Sequence, residues 1–147
     1  MGNYNFQKDL ERAKECEKKV VEMLQSHPIN TDFEFNNDAK YDIKYKCEGN
    51  EITLEVKEDL MWEKTGNVAI ELQSRGKPSG ICTSVADRWC YVLGDEFWFG
   101  KPGDIRLFLI QHWDRIRRVK GGDDGTSFMA LVKLEDFKEI FTRIPKI

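Results

Sequence analysis

Histidine, cysteine and proline are scarce in this 147-residue chain, which has only two, four and four of them. No two cysteines stand at CxxC spacing, which excludes the common zinc frameworks. His27 and His112 lie far apart, with neither an HExxH pattern nor triad-like surroundings. The four cysteines would permit two disulfides, but residues 1–8 lack a basic, apolar leader of the secretory kind. Reduced thiols in a cytoplasmic protein are therefore expected. The longest apolar runs, such as 107–110, fall far short of the roughly 20 residues that cross a bilayer, so no membrane partner is expected. Eleven glycines exclude a collagen-like or low-complexity chain. A net positive charge is also missing: the formal charge is -3 and the isoelectric point near 5.5, which gives no global attraction to nucleic acid.

What is present is material for a core. Apolar side chains make up 40% of the chain, with nine Phe, four Trp and four Tyr, enough for one domain spanning 1–147 and against wholesale disorder. Residues 6–26 predict a helix, because Phe6, Leu10, Ala13, Val20 and Leu24 recur at alternating steps of four and three once position 17 is counted. Position 17 is Glu, and a carboxylate in a buried stripe costs several kcal/mol unless paired, hydrated or metal-bound. Residues 29–39 read as a polar link. From 40 to 47 the pattern alternates strictly, with Tyr41, Ile43, Tyr45 and Cys47 opposite Asp42, Lys44 and Lys46. After the turn at 48–50, Ile52, Leu54 and Val56 oppose Thr53, Glu55 and Lys57, which predicts an antiparallel hairpin. The run 67–73 predicts a third strand of the same meander. A polar breaker at 74–80, a helical turn at 83–88, strands at 89–93 and 96–99, a helix at 102–112, a loop at 121–125, a strand at 128–132 and a closing helix at 134–144 complete the expectation.

The hairpin carries the chemistry. Period-two geometry puts Glu55 and Lys57 on one face, with Asp42 on the neighbouring strand. Solvated side chains and cross-strand ion pairs are the ordinary use of such residues. Three further features favour a site: Glu17 in the apolar stripe, Glu71 and Gln73 on the polar face of the next strand, and Arg75 and Lys77 directly after it. Paired carboxylates suit a hard divalent cation such as Mg2+, which takes oxygen ligands and keeps waters for a phosphate. A lysine beside them orients water or neutralises charge developing on phosphorus.

The order of these parts resembles the PD-(D/E)XK nuclease superfamily, whose core is a helix, a three-strand meander, a helix and a further strand. The matching residues are Asp42, then Glu55-Val56-Lys57, with Glu17 on the first helix. AKECE at 13–17 looks like the family's G-x-x-G-E helix segment, without its glycines, and Tyr41 stands where the family name has proline. SRGKPSGI at 74–81 followed by ADRWCYVL at 86–93 looks like small phage-type members, and the resemblance runs over roughly 6–132.

It implies an α/β restriction-endonuclease-like fold whose mixed sheet is flanked by an N-terminal and a C-terminal helix. It also implies Mg2+-dependent hydrolysis of DNA phosphodiesters, with Mn2+ as a substitute. Asp42, Glu55, the Val56 carbonyl and Glu17 would hold metal, and Lys57 would activate water. Glu71 and Gln73 would serve the water network or the scissile phosphate. Ser74, Arg75, Lys77 and Ser79 are expected phosphate contacts.

Residues 106–120 hold five cations against Asp114 alone, so Arg115, Arg117 and Arg118 are further candidates for DNA, against the alternative of a solvated helix end. Trp62, Trp89, Trp98 and Trp113 could stack on unpaired bases, though tryptophans among Val, Phe and Leu more often belong to the core. The module's small contact area favours a homodimer acting on a junction or on two strands. The alternative is a catalytically silent module of the same fold that binds nucleic acid or protein. A glycosidase using Asp42 and Glu55 is disfavoured by Lys57 beside the pair.

Overall fold

The computed structural model describes residues 6–36, 40–121 and 125–147. The centre of the loop expected at 121–125 and the side chain of Phe6, expected in the helix stripe, lie outside the described residues.

Helix α1 (Phe6–Gln25) buries Cys16, Glu17, Val20, Val21, Met23 and Leu24. Its first half behaves otherwise: Leu10 is 44% exposed and Ala13 is exposed, contrary to the expected continuous stripe. Twenty helical residues span about 30 Å, and the strands beneath, of five to nine residues, cover only the second half.

Strands β1 (Asn30–Phe35), β2 (Ile43–Cys47), β3 (Asn50–Glu58), β6 (Arg88–Leu93), β7 (Glu96–Gly100) and β10 (Thr142–Arg143) form a six-stranded sheet in the order β1-β2-β3-β6-β7-β10. Among the described residues only β3 and β6 pair in parallel, so this sheet is mixed. A second sheet, in the order β5-β4-β9-β8, contains β4 (Asn67–Ser74), β5 (Lys77–Pro78), β8 (Arg117–Gly121) and β9 (Ser127–Lys133). Short α2 (Trp62–Thr65), α3 (Pro102–Gln111) and α4 (Leu134–Ile140) complete the mixed α/β architecture. Among the described residues, no helix is long and apolar enough to cross a membrane.

Alternation along β3 and β6 explains why two cores form. Leu54, Cys90 and Val92 pack with Ile43 and Tyr45 against α1. Trp89, Tyr91 and Leu93 face the other way, onto Val68, Ile70, Ala130 and Val132 of the second sheet and Ile105 and Leu109 of α3. The four cysteines are free thiols.

Several expectations are corrected. The third strand of the meander is β1 and not β4, which belongs to the second sheet. The segment read as a polar link pairs with β2 through the ion pairs Glu34–Lys44 and Asp32–Lys46 and the Phe33–Tyr45 stack, so cross-strand pairing and not apolar alternation makes it a strand. Tyr41 precedes the regular part of β2 and packs into the second-sheet core, unlike Ile43 and Tyr45. Only a 3-10 turn at Gly80–Cys82 replaces the helix expected at 83–88, and the basic run enters the edge strand β8. Finally, α4 stops at Ile140 because Phe141 packs under Gly100 and the chain then pairs with β7. A Cβ at Gly100 would lie 2.7 Å from the Phe141 ring.

Candidate active site

The hairpin geometry places Asp42 just before β2, opposite the outgoing half of β3. Its backbone N–H donates to the Leu54 carbonyl (2.9 Å) and its Oδ2 accepts from the Val56 N–H (2.7 Å). Asp42 is thereby locked where β2 begins and β3 runs on past it. N–H and C=O of one strand residue point to the same edge, so the Val56 carbonyl emerges on the side of the Asp42 carboxylate.

Glu55 and Lys57 lie beside Trp89 and Tyr91 in the parallel register. Lys57 Nζ stands 3.3 Å from Glu55 Oε2 and 5.5 Å from the centre of the Trp89 ring. The apolar ring and the carboxylate both favour an extended lysine side chain held at the pair. This arrangement can supply a fixed cation beside two carboxylates.

Glu17 is the anomaly. It is only 7% exposed, and its Oε1 is fully buried with no hydrogen-bond partner among the described residues. Burial, reinforced by the negative charges of Asp42 and Glu55 and opposed by Lys14, pushes its carboxyl up to about 7. Burial also raises Asp42, against the Val56 N–H and Lys57, which favour its charged form. Burial likewise raises Glu55, where Asp42 and Glu71 add to the effect and Lys57 opposes it. The three carboxylates are close enough for their charges to act on one another. Among the described residues, however, no three His, Cys, Asp or Glu side chains are gathered as a ready ligand cluster. The thiol next to Glu17, Cys16, is pushed by burial up to about 12 and is no nucleophile at neutral pH.

Glu71 occupies the same neighbourhood in a different condition. Its Oε2 accepts from the Ser79 hydroxyl (3.0 Å) and its Oε1 from the Ser127 hydroxyl (3.2 Å). Ser79 is therefore engaged with a carboxylate and does not point free as a phosphate contact. Gly80 lets the turn approach: with φ +55, any Cβ there would collide with the Glu71 carbonyl oxygen. Gln73 is not on the Glu71 face, because the register between β4 and β9 shifts between these two residues, and it lines a groove beneath α3 instead. A bulge of this kind cancels period-two reasoning.

Among the expected phosphate contacts, Ser74 pairs with Lys77 in register, and Arg75 occupies the tight turn between β4 and β5 with φ +53. Arg75 and Lys77 are exposed. In the second basic run, Arg115 is taken by Asp136 at 3.2 Å. Arg118 donates to the Trp113 carbonyl (2.7 Å) and lies 4.1 Å over the Trp113 ring, and Arg117 is exposed on β8.

Sequence reasoning missed Ser127 and Asp59. The partnership of Ser127 with Glu71 depends on a strand 56 residues away, and no local pattern encodes it. Asp59 binds the Met61 N–H (2.8 Å) and the Ala69 N–H (2.9 Å), tying the end of β3 to β4. An Asp accepting from a backbone N–H two residues on is an Asx turn, so that half was legible.

No known family model and no curated protein matches the sequence.

Proposed function

We propose that this chain is a Mg2+-dependent nuclease that hydrolyses DNA phosphodiesters, built on a restriction-endonuclease-like core of the PD-(D/E)XK kind and acting as a cytoplasmic homodimer. One observation carries the reading: a fully buried carboxylate oxygen of Glu17 with no hydrogen-bond partner among the described residues, beside Asp42 and Glu55. An uncompensated buried carboxylate is expensive, and a hard cation with oxygen ligands is the chemical partner that fits this donor set. Asp42, Glu55, the Val56 carbonyl and Glu17 would hold it. Mg2+, or Mn2+ in its place, would polarise the phosphate and stabilise the charge gained in the transition state.

The chain's own groups do the rest. Asp42 is oriented by the Val56 N–H, which leaves its second oxygen for the cation. Lys57, held by Glu55, orients a water for in-line attack, and its ammonium stabilises charge accumulating on the phosphate oxygens. The water oxygen forms the new bond to phosphorus, and the bond to the 3′ oxygen breaks, leaving a 5′-phosphate and a 3′-hydroxyl. Arg75 and Lys77, both exposed, would contact backbone phosphates.

The test is cleavage of plasmid, single-stranded and branched DNA in Mg2+ and Mn2+. Lys57→Ala and Glu55→Gln should each lower the rate at least about a hundredfold. Absence of cleavage, or variants as fast as the parent, would refute the reading. The lack of a ready three-ligand cluster among the described residues favours a second reading, a catalytically silent nucleic-acid- or protein-binding module. It predicts DNA binding with no Mn2+ uptake by calorimetry that Glu55→Ala abolishes.

A further inference from the structure

Of the four tryptophans, Trp89 and Trp98 are core residues at 1% and 8% exposure, and Trp62 packs against the same core. Trp113 differs. It is 39% exposed, and it lines a groove of about 780 Å³ between α3 and the end of the second sheet, together with Leu72, Gln73, Arg106, Ile110 and Phe128. Ile110, on the groove wall, is 74% exposed.

No carboxylate lines this groove among the described residues. One cation lines it, Arg106, and two more stand on the neighbouring edge strand β8. Arg106 donates to the Ile81 and Ser84 carbonyls at 2.7 and 2.6 Å, which hold its guanidinium without cancelling its charge. On β8, Lys120 stands opposite Phe128 and Arg118 opposite Ala130, so period-two alternation turns both toward the groove side of the sheet and Arg117 away from it. Arg118 then covers one face of Trp113.

We propose that this groove binds the unpaired bases of a single-stranded nucleic acid, with Trp113 and Phe128 as stacking surfaces and Arg106, Arg118 and Lys120 facing its phosphates. Aromatic rings interleaved with cations, and no competing acid, make the combination that grips single strands without reading their sequence. Leu72 and Gln73 of its wall lie on β4, the strand that also carries Glu71. The inference rests on the nucleic-acid reading above and narrows its substrate to DNA with single-stranded character.

The test uses the full chain in EDTA and a fluorescein-labelled oligo(dT), followed by anisotropy and by quenching of tryptophan fluorescence. The single strand should bind more tightly than a duplex of equal length. Trp113→Ala should weaken binding at least about fivefold, whereas Trp113→Phe should keep most of the affinity and lose the quenching. Arg118→Ala should flatten the dependence of log affinity on log salt by about 0.7. Ile110→Glu, at a position too exposed to threaten folding, should also weaken binding and covers the case of a Trp113→Ala variant that does not fold. Equal binding of duplex and single strand, or indifference to Ile110→Glu and both Trp113 changes, overturns the proposal. So does an Ile110-dependent self-association with no strand binding, which would make the groove a contact between copies. Trp113-dependent binding without cleavage in Mn2+ leaves the groove standing and removes the nuclease reading, and cleavage with Trp113-independent binding does the reverse.

Discussion

Two glutamates show how differently the two sides of this molecule treat a carboxylate. On the α1 side, Glu17 is 7% exposed and keeps a buried oxygen with no partner among the described residues. On the second-sheet side, both oxygens of Glu71 accept from serine hydroxyls. Glu71 is thus satisfied by the fold itself, and its neighbours are shaped around it. Glu17 is accommodated but not satisfied, in a setting where Asp42 and Glu55 make its charge still more costly. The contrast separates a carboxylate that holds structure from one that awaits a cation, and each of the following variants tests one side of it.

The largest stability effect belongs to the satisfied side. Gly80→Ala introduces a Cβ against the Glu71 carbonyl and forces an L-residue to φ +55. Backbone strain and overpacking of this kind each cost about 1 to 3 kcal/mol. A loss of at least about 3 kcal/mol in urea unfolding is expected, and a loss under 1 kcal/mol would show that the turn around Glu71 adapts easily.

How much of this was legible follows from the range of the interactions. The hairpins of β2 with β3 and of β6 with β7 are local, and the first alternates clearly, so the positions of Asp42, Glu55 and Lys57 could be read directly. Glu17 stood out because a single charge broke an apolar period. β1 was opaque because its stability comes from ion pairs with β2 and from one aromatic stack, none of which forms a pattern within its own six residues. The sheet of β4 was misassigned because Tyr91, whose hydroxyl donates to the Ala69 carbonyl, and Asp59 join the two layers only after the chain has folded back. Gln73 was misplaced by one bulge. The basic run 106–120 looked like a single surface, and β8 divides it between two faces.

The unsatisfied side has a pH signature. The carboxyl of Glu17 rises from 4.5 to about 7 on folding, so the folded chain binds the proton more tightly than the unfolded one. Stability of the metal-free protein should therefore fall as pH rises from about 4.5 to about 7, by up to about 3 kcal/mol from this group. Asp42 and Glu55 are raised too and contribute a loss of the same sign. Glu17→Gln removes the largest share. In EDTA the variant should be more stable than the parent at pH 8, equal to it near pH 4, and flatter between them. Added Mn2+ should stabilise the parent and not the variant. A parent whose EDTA stability is level across this range would mean that Glu17 finds a partner the structure does not show.

The smallest effect sharpens the same comparison from the other direction. Ser127→Ala removes one donor from Glu71, where the Ser79 hydroxyl remains at 3.0 Å. A hydrogen bond to a charged group contributes about 1.5 to 3 kcal/mol when its partner is left dry, but Glu71 is only half-buried and water can reach the vacated oxygen. A loss of about 1 kcal/mol is expected, unchanged by Mn2+. If that loss instead disappears on adding Mn2+, Glu71 shares the cation with Glu17 and Glu55, and the division between a structural and a metal-seeking carboxylate fails at this residue.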